Sequence, residues 1–219
     1  MLKIGHRGAK GYIAENTLTS FEKAIELHVD AIELDVHLSS DSEVMVIHDA
    51  TIDRTTNKKG FVSEYSSKEL KELGIPTLED VLHLVNQKCI INIEIKEANT
   101  TQKVLHLIDT FTHEFLWNYN RFQISSFHWN VLKEVAATNS KIALGVLTEY
   151  SIEEALDFAT KIKAHSVNPH FKLLDQKKVS LIHANGLKIY TWTVNSLKDI
   201  IFIKSLAVDG IISDFPDRL

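Results

Sequence analysis

The hydrophobic residues of this chain fall into short apolar runs that alternate with longer segments in which apolar positions recur at helical spacing. Such alternation predicts strands and helices that follow one another around a parallel sheet. The predicted strands are Lys3 to His6, Ala31 to Leu38, Ile90 to Lys96, Phe122 to Ser126, Ile142 to Leu147, Ala164 to Asn168, Lys188 to Val194 and Gly210 to Ser213. The predicted helices are Thr17 to His28, Thr77 to Val85, Thr101 to Trp117, Trp129 to Thr138, Ile152 to Lys161, Leu174 to Ala184 and Leu197 to Leu206.

The number and order of these elements predict the fold class. Eight strands with intervening helices in 219 residues are typical of an α/β protein built as a TIM (β/α)8 barrel. Only 3 prolines and 8 glycines are spread along the chain, and no stretch has the composition of a linker. We therefore predict one domain spanning residues 1–219.

One apolar run, Val44 to His48, does not fit the alternation. About five residues separate it from the preceding strand, whereas a parallel crossover needs roughly a dozen or more. We therefore predict an antiparallel hairpin with its turn at Ser39 to Ser42. Such pairing would bring His48 opposite Leu34 or Asp35.

Two predicted strands carry alternating acidic residues. The two-residue period of a strand places Glu33, Asp35 and His37 on one face of the second strand, opposite its apolar residues. In the third strand the same rule directs Asn92, Glu94 and Lys96 inward. Clustered buried carboxylates need a compensating cation, and an all-oxygen set favours Mg²⁺, Ca²⁺ or Mn²⁺ over Zn²⁺. The alternative is a buried ion network in which Arg7 and Lys96 neutralise these acids.

The first predicted strand ends in a second group of polar residues. His6 and Arg7 lie between glycines at the rim where barrels build their sites. Arginine presents a bidentate fork to phosphate. His6 and His48 could flank a phosphodiester, one taking a proton from the nucleophile and the other protonating the leaving oxygen.

Composition narrows the classes of partner. The net charge of −5 gives no bulk electrostatic attraction to nucleic acid or to an anionic membrane. Residues 1–10 lack the apolar core of a signal peptide, and no apolar run approaches the ~18 residues of a membrane span, so we expect a cytoplasmic protein without membrane insertion. The lone Cys89 cannot form an intramolecular disulfide. The sequence leaves the oligomeric state open.

A series of short motifs resembles the glycerophosphodiester phosphodiesterase family. Each motif alone is weak, but their joint order is specific and spans nearly the whole chain. The motifs are His6-Arg7-Gly8, Glu15-Asn16-Thr17, Glu33-Leu34-Asp35-Val36, His48-Asp49 with Arg54-Thr55-Thr56, Glu94-Ile95-Lys96, Ser125-Ser126-Phe127, Asn168-Pro169, Thr191-Trp192-Thr193-Val194-Asn195 and Asp209-Gly210-Ile211-Ile212-Ser213-Asp214.

The resemblance implies a TIM-barrel enzyme that uses one divalent cation, Mg²⁺ or Ca²⁺ with Mn²⁺ possible, to hydrolyse a small glycerophosphodiester to glycerol 3-phosphate and an alcohol. It implies roles for seven residues, and Trp192 is added here as a candidate for packing on the substrate. The acid and base are His6 and His48, the metal ligands are Glu33, Asp35 and Glu94, and the phosphate or substrate contacts are Arg7, Lys96 and Trp192.

The chain departs from the family pattern at two positions and in one segment. Ala14 stands where proline is usual and Ser213 where threonine is usual, and neither change removes a donor, a charge or a ligand. The segment from Asp49 to Pro76 is short, which predicts a more open site. Two alternatives stay open: a related barrel phosphodiesterase acting on lysophospholipids or inositol phospholipids, and a barrel that binds phosphate without turnover.

Several residues near the predicted site have simpler interpretations. Asn16 precedes a predicted helix and is expected to be its N-cap. His37 lies towards the hairpin tip and is left outside the site. The roles of Glu15 and Asn168 stay open.

Overall fold

A computed structural model describes all 219 residues as a closed barrel. Eight parallel strands pair in the order β1-β9-β8-β7-β6-β5-β4-β2, and pairing of β1 with β2 closes the ring. The barrel strands are β1 (Leu2–His6), β2 (Ala31–Leu38), β4 (Ile90–Ile95), β5 (Phe122–Ser126), β6 (Ala143–Thr148), β7 (Ser166–Pro169), β8 (Lys188–Thr191) and β9 (Gly210–Ser213). The predicted TIM barrel and its eight strands are therefore confirmed.

The predicted hairpin is also confirmed. Strand β3 (Val44–Val46) lies outside the barrel and pairs antiparallel with β2, with Val46 opposite Val36. The backbone N–H of Ile47 then donates to the carbonyl of Asp35 at 3.0 Å, which carries the register onward and brings His48 to the end of the barrel that holds the acidic residues.

Eight α-helices connect the strands. They are α1 (Leu18–Glu26), α2 (Ser67–Glu72), α3 (Leu78–Val85), α4 (Thr101–His113), α5 (Trp129–Thr138), α6 (Ile152–Lys161), α7 (Gln176–Ala184) and α8 (Leu197–Ser205). The extra helix α2 was not predicted; a capping box between Ser66 and Glu69 begins it. No helix has both the length and the apolar character needed to cross a bilayer.

The largest error in the predicted boundaries concerns α4, which ends at His113 rather than Trp117. Leu116 adopts a positive φ of 58°, and the N–H of Trp117 donates to the carbonyl of Phe111, so the chain turns back. Trp117 then packs face to face with Phe122, with 5.2 Å between the ring centroids. An apolar residue with helical spacing thus belongs to the loop that leads into β5.

The main core lies between the barrel and its helices and comprises 48 buried apolar residues. Every residue of β2 from Ala31 to His37 is buried, because its odd and even positions face the barrel interior and the helices respectively. Six further residues, including Met45, Ile47 and Ile75, form a small separate core under residues 49–76. This second core holds the hairpin against the rim of the barrel.

Candidate active site

Strand register places the polar residues of β1, β2 and β4 at the same end of the barrel. His6 pairs with Glu33, and Glu33 pairs in turn with Asn92. Two residues further on, Asp35 pairs with Glu94. Because these strands are parallel neighbours, alternate inward residues come together in two adjacent layers.

Glu33, Asp35 and Glu94 form a buried cluster in which one carboxylate oxygen from each residue lies within 4.8 Å of the others. Burial and the charges of the other two acids raise the pKa of Glu33 well above its usual value. The same two causes, with Asp35 as the neighbour, raise the pKa of Glu94 to about 7. The cluster therefore concentrates more negative charge than its surroundings accommodate.

Two cations approach the cluster from its sides. Arg7 Nε lies 3.1 Å from Asp35 Oδ2, and Lys96 Nζ lies 3.1 Å from Asp35 Oδ1 and 2.6 Å from Glu94 Oε1. Burial opposes ionisation of Asp35, but Lys96 and Arg7 outweigh it and lower the pKa of this carboxyl. Part of the predicted alternative, an ion network with Arg7 and Lys96, is thus present.

That network does not neutralise all three acids. Glu33 accepts a hydrogen bond from the backbone N–H of Arg7 at 3.1 Å, and its pKa stays raised. Asn92 Oδ1, buried beside the cluster, has no hydrogen-bond partner. A surplus carboxylate and an unpaired amide oxygen are the donors that a hard divalent cation takes, so these residues fit such an ion.

His6 is held at the end of β1 by a residue from the far end of the chain. Its Nδ1–H donates to Asp214 Oδ1 at 2.6 Å, because a carboxylate can only accept. Asn195 fixes Asp214 in turn, donating from Nδ2 at 2.8 Å and accepting from the Asp214 N–H at 2.9 Å. Burial lowers the pKa of His6 although Asp214 opposes the shift. His6 Nε2 therefore faces Glu33, 4.0 Å away, in a neutral ring.

His48 has a similar partner in Asp49, the residue that follows it in the chain. Its Nδ1 donates to Asp49 Oδ1 at 2.6 Å, and Asp49 Oδ2 accepts from Arg54 Nε at 2.6 Å. Its backbone carbonyl lies 3.0 Å from His37 Nε2. His37 therefore positions the loop that carries His48 and does not join the cluster of Glu33, Asp35 and Glu94. Burial also lowers the pKa of His48.

One cavity of about 110 Å³ brings the predicted site together. Seven of the eight predicted residues line it: His6, Arg7, Glu33, His48, Glu94, Lys96 and Trp192. The eighth, Asp35, lies beneath and contacts Arg7 and Lys96. Apolar side chains of Phe127, Leu147 and Trp192 form the opposite wall.

Contacts with residues of neighbouring segments hold Trp192 in place. Its Nε1–H donates to the carbonyl of Asn168 at 2.8 Å, and its ring meets Phe127 edge to face at 5.4 Å. Asn168 itself is buried in the barrel interior, where its Oδ1 accepts from Ser166. Its contribution at the rim is therefore made through its backbone carbonyl.

Sequence reasoning misplaced Asn16 and left Glu15 unassigned. The N-cap of α1 is Thr17, whose side chain accepts from the Ser20 N–H, so the prediction for Asn16 is wrong. Asn16 instead has a positive φ of 55° and donates from Nδ2 to Asp35 Oδ2 at 3.0 Å. Asparagine and threonine are both common at helix N-caps, so residue type alone cannot tell which of Asn16 and Thr17 is the cap.

Glu15 links the two sides of the site. Its Oε1 accepts hydrogen bonds of 2.7 Å from Arg7 and from Arg54. It thereby links Arg7, the candidate phosphate-binding residue that follows β1, to the loop that carries Asp49. The sequence signal for these positioning residues was their presence in the motifs, because nothing in local periodicity distinguishes Glu15, Asp49 or Asp214.

The sequence of the chain is also similar to those of known proteins. A sequence model of the Glycerophosphoryl diester phosphodiesterase family matches residues 6–218. A glycerophosphodiester phosphodiesterase of Bacillus altitudinis is 40% identical, with 100% of this chain and 96% of that protein covered.

Solved structures give the same result. The crystal structure of a glycerophosphodiester phosphodiesterase from Thermotoga maritima superposes with a TM-score of 0.87 at 30% identity, covering 99% of this chain and 96% of that one. A phosphodiesterase from Oleispira antarctica, solved in complex with the product sn-glycerol 3-phosphate, has a TM-score of 0.87 at 26% identity, with 98% and 93% covered. The chain therefore belongs to the Glycerophosphoryl diester phosphodiesterase family, as its motifs predicted.

Proposed function

We propose that the protein hydrolyses glycerophosphodiesters to sn-glycerol 3-phosphate and an alcohol with the help of one divalent cation, Mg²⁺ or Ca²⁺. The observation that carries the proposal is a rim cavity at which two aspartate-bonded histidines, a carboxylate cluster and the cationic side chains of Arg7 and Lys96 come together. The product complex of the Oleispira antarctica relative supports the choice of substrate.

In this proposal Glu33, Asp35 and Glu94 hold the cation. When bound, a divalent cation supplies Lewis-acid polarisation of a phosphate oxygen. Its charge would also relieve the like-charge repulsion that raises the pKa of Glu33 and Glu94.

Arg7 and Lys96 contact the phosphate in the same proposal. Their side chains enter the cavity from the two sides of the carboxylate cluster. Fixed cations at this position stabilise the negative charge that grows on the phosphate oxygens during displacement. Trp192 would pack against the carbon chain of the substrate, opposite these cations.

The proton transfers are assigned to His6 and His48. In each ring the hydrogen bond to aspartate keeps the proton on Nδ1 and leaves Nε2 for the substrate. One ring takes the proton of the nucleophile and the other gives a proton to the leaving alcohol oxygen. Both the glycerol 2-hydroxyl and a water molecule are compatible nucleophiles in this scheme.

The test is release of glycerol 3-phosphate from a panel of soluble glycerophosphodiesters, with and without a chelator. We expect turnover that needs the cation, and a loss of about 10²–10⁴ in kcat for His6→Ala and for His48→Ala. His113→Ala, an exposed histidine on α4, serves as the control and keeps wild-type rates.

Four results would contradict parts of the proposal. Turnover in the presence of chelator would exclude a role for the cation. Normal turnover of His48→Ala would exclude His48 from the proton transfers. Tight binding of glycerol 3-phosphate without cleavage of any diester favours the phosphate-binding barrel instead. Faster cleavage of micellar lysophospholipid than of soluble diesters favours the lipid-directed alternative.

A further inference from the structure

A second cavity of about 600 Å³ lies beside the active-site cavity and is here called the side groove. His48 lines both, with about a third of its side chain exposed. The lining residues are Lys10, Gly11, Tyr12, Ile13, Ala14, Glu15, Asn16, Thr17, Val46, Ile47, His48, Arg54, Thr55, Leu73, Gly74 and Ile75.

We propose that the side groove binds the leaving alcohol of the diester and favours a hydroxyl-rich, uncharged or anionic alcohol over a cationic amino alcohol such as choline. This inference rests on the proposed function. A phosphodiester carries two alcohol substituents on one phosphate. The smaller cavity ends at the wall formed by Phe127, Leu147 and Trp192. The side groove meets the smaller cavity at His48, which lines both, and its volume of about 600 Å³ leaves room for the second substituent of the phosphate.

The charges that face the groove determine the preference. Two cations, Lys10 and Arg54, line it against one carboxylate, Glu15. The Glu15 carboxylate is already shared among Arg7 and Arg54, each at 2.7 Å, and Lys10, at 3.5 Å. A positively charged head group would find no free acid there and would meet the ammonium of Lys10, which is 31% exposed.

The neighbouring Asp49 does not change this balance. Both of its oxygens are engaged, one by His48 and the other by Arg54, at 2.6 Å each. Asp217 accepts the hydroxyl hydrogen bond of Tyr12, a lining residue, at 2.8 Å. Glu15, Asp49 and Asp217 thus all have partners within the protein.

The groove also lacks the aromatic enclosure that binds quaternary ammonium groups. Such recognition uses several aromatic faces around the cation. Tyr12 is the one tyrosine, phenylalanine or tryptophan in the lining, and its ring is braced edge to face against Phe215 at 5.5 Å. An isolated aromatic face does not offset the nearby ammonium of Lys10.

The other lining groups suit a polyol. Ile13, Ala14, Ile47, Leu73 and Ile75 supply an apolar floor for carbon atoms. Ile47 and Ile75 are buried members of the small core under residues 49–76, so this floor is anchored. Lys10 and the hydroxyl of Thr55 can bond to hydroxyl or anionic groups of the ligand.

The experiment measures the ratio of kcat/KM for glycerophosphoglycerol to kcat/KM for glycerophosphocholine. We expect the wild-type ratio to exceed one. We expect Lys10→Glu to lower the ratio by about 3- to 10-fold, because it reverses one charge at the groove, and Lys10→Met to give an intermediate value. Lys133→Glu, an exposed substitution on α5, is the matched control and leaves the ratio unchanged. Because both substrates are measured with the same protein preparation, the ratio does not depend on the fraction of active enzyme.

A steric variant tests the location independently of charge. Thr55→Trp adds bulk to the groove wall, so we expect it to lower kcat/KM for glycerophosphoinositol by at least 3-fold more than for glycerophosphoglycerol. The inference is overturned if the wild type prefers glycerophosphocholine, or if the Lys10 and Thr55 variants leave both ratios unchanged. If the wild type cleaves no diester under any cation, the proposed function fails first and the groove assignment falls with it.

Discussion

Each candidate catalytic histidine is bonded through Nδ1 to an aspartate, but the two aspartates are held differently. Asp214 is fixed by Asn195 and shares little contact with solvent, whereas Asp49 bonds to the half-exposed Arg54. The hydrogen bond from Arg54 lowers the pKa of Asp49 to about 2. Both acids therefore stay ionised near neutral pH and keep each imidazole in one tautomer.

Asp214→Asn tests whether that orientation matters for turnover. An amide can present a donor to Nδ1, which favours the wrong tautomer, so we expect kcat to fall about 10²-fold with little change in KM. The pKa of His6 should also fall further, because its raising partner is lost, and the limb of the pH–rate profile that reports His6 should move to lower pH.

Asp217→Asn is the matched control, since it lies on the same segment and contacts the Tyr12 hydroxyl instead of a histidine. An Asp214→Asn protein with wild-type kcat and an unmoved pH profile would show that Asp214 serves packing alone.

The raised pKa of Glu94 predicts a pH-dependent stability in the cation-free protein. The pKa is about 7 in the folded state against a usual value of 4.5, so ionised Glu94 destabilises the fold. The free energy of unfolding should thus contain a contribution that is greatest below pH 4.5 and is lost as the pH rises through 7. The shift corresponds to at most about 3 kcal/mol.

Urea denaturation in chelator at pH 5 and pH 8 measures this contribution as the difference between wild type and Glu94→Gln, which cancels the titration of the histidines. We expect the advantage of Glu94→Gln to be larger at pH 8. Added Mg²⁺ or Ca²⁺ should restore stability to the wild type more than to the variant. The exposed control Glu114→Gln should give a pH profile parallel to that of the wild type. A parallel profile for Glu94→Gln as well would contradict the shift.

Among the elements, β6 carries a residue that its neighbours restrict to glycine. A Cβ on Gly145 would lie 2.6 Å from Asn168 Nδ2 and 2.7 Å from Gln123 Nε2. These two amides belong to a polar layer in the barrel interior, where Gln123 donates to Ser166 Oγ at 2.9 Å. Glycine on β6 therefore makes space for side chains from the strands on both sides.

Gly145→Ala should destabilise the protein by about 1–3 kcal/mol through this overpacking, measured by urea denaturation. The effect should shrink in an Asn168→Ala background, where the nearest atom is removed. An equal loss of stability in both backgrounds would place the cause in the β6 backbone instead.

The elements also differ in how far the sequence could predict them. The acidic strands β2 and β4 were predictable because alternation identifies their inward face, and register then brings Glu33, Asp35 and Glu94 together. The end of α4 was not, because Trp117 has the spacing of a helical residue but packs on Phe122 from a loop. Tertiary contacts of this kind override local periodicity.

The contacts that position the site residues could not be predicted from the sequence, for a related reason. His6 and Asp214 are 208 residues apart in sequence, and only closure of the barrel makes them partners. Asn16 has the composition of a helix cap, and its bond to Asp35 depends on a left-handed backbone conformation that the sequence does not encode visibly.

For the whole molecule, barrel closure makes the first and last strands neighbours. β1 pairs with β2 on one side and β9 on the other, and the His6–Asp214 bond spans the same junction. Neither half of the chain can complete the ring or the site alone. We therefore keep the prediction of one domain over residues 1–219 and expect one cooperative unfolding transition.

Single-tryptophan variants test that cooperativity at two places. Trp117 reports the core beside α4, where it packs on Phe122, and Trp192 reports the site cavity. In urea, the fluorescence transition of each variant should coincide with its own loss of helical circular dichroism, which serves as the internal control. If Trp192 lost its native signal before the helices melted, the rim would unfold as a separate unit. Coincident transitions are expected because β8, the strand that immediately precedes Trp192, lies within the same closed ring as the strands that hold the acids.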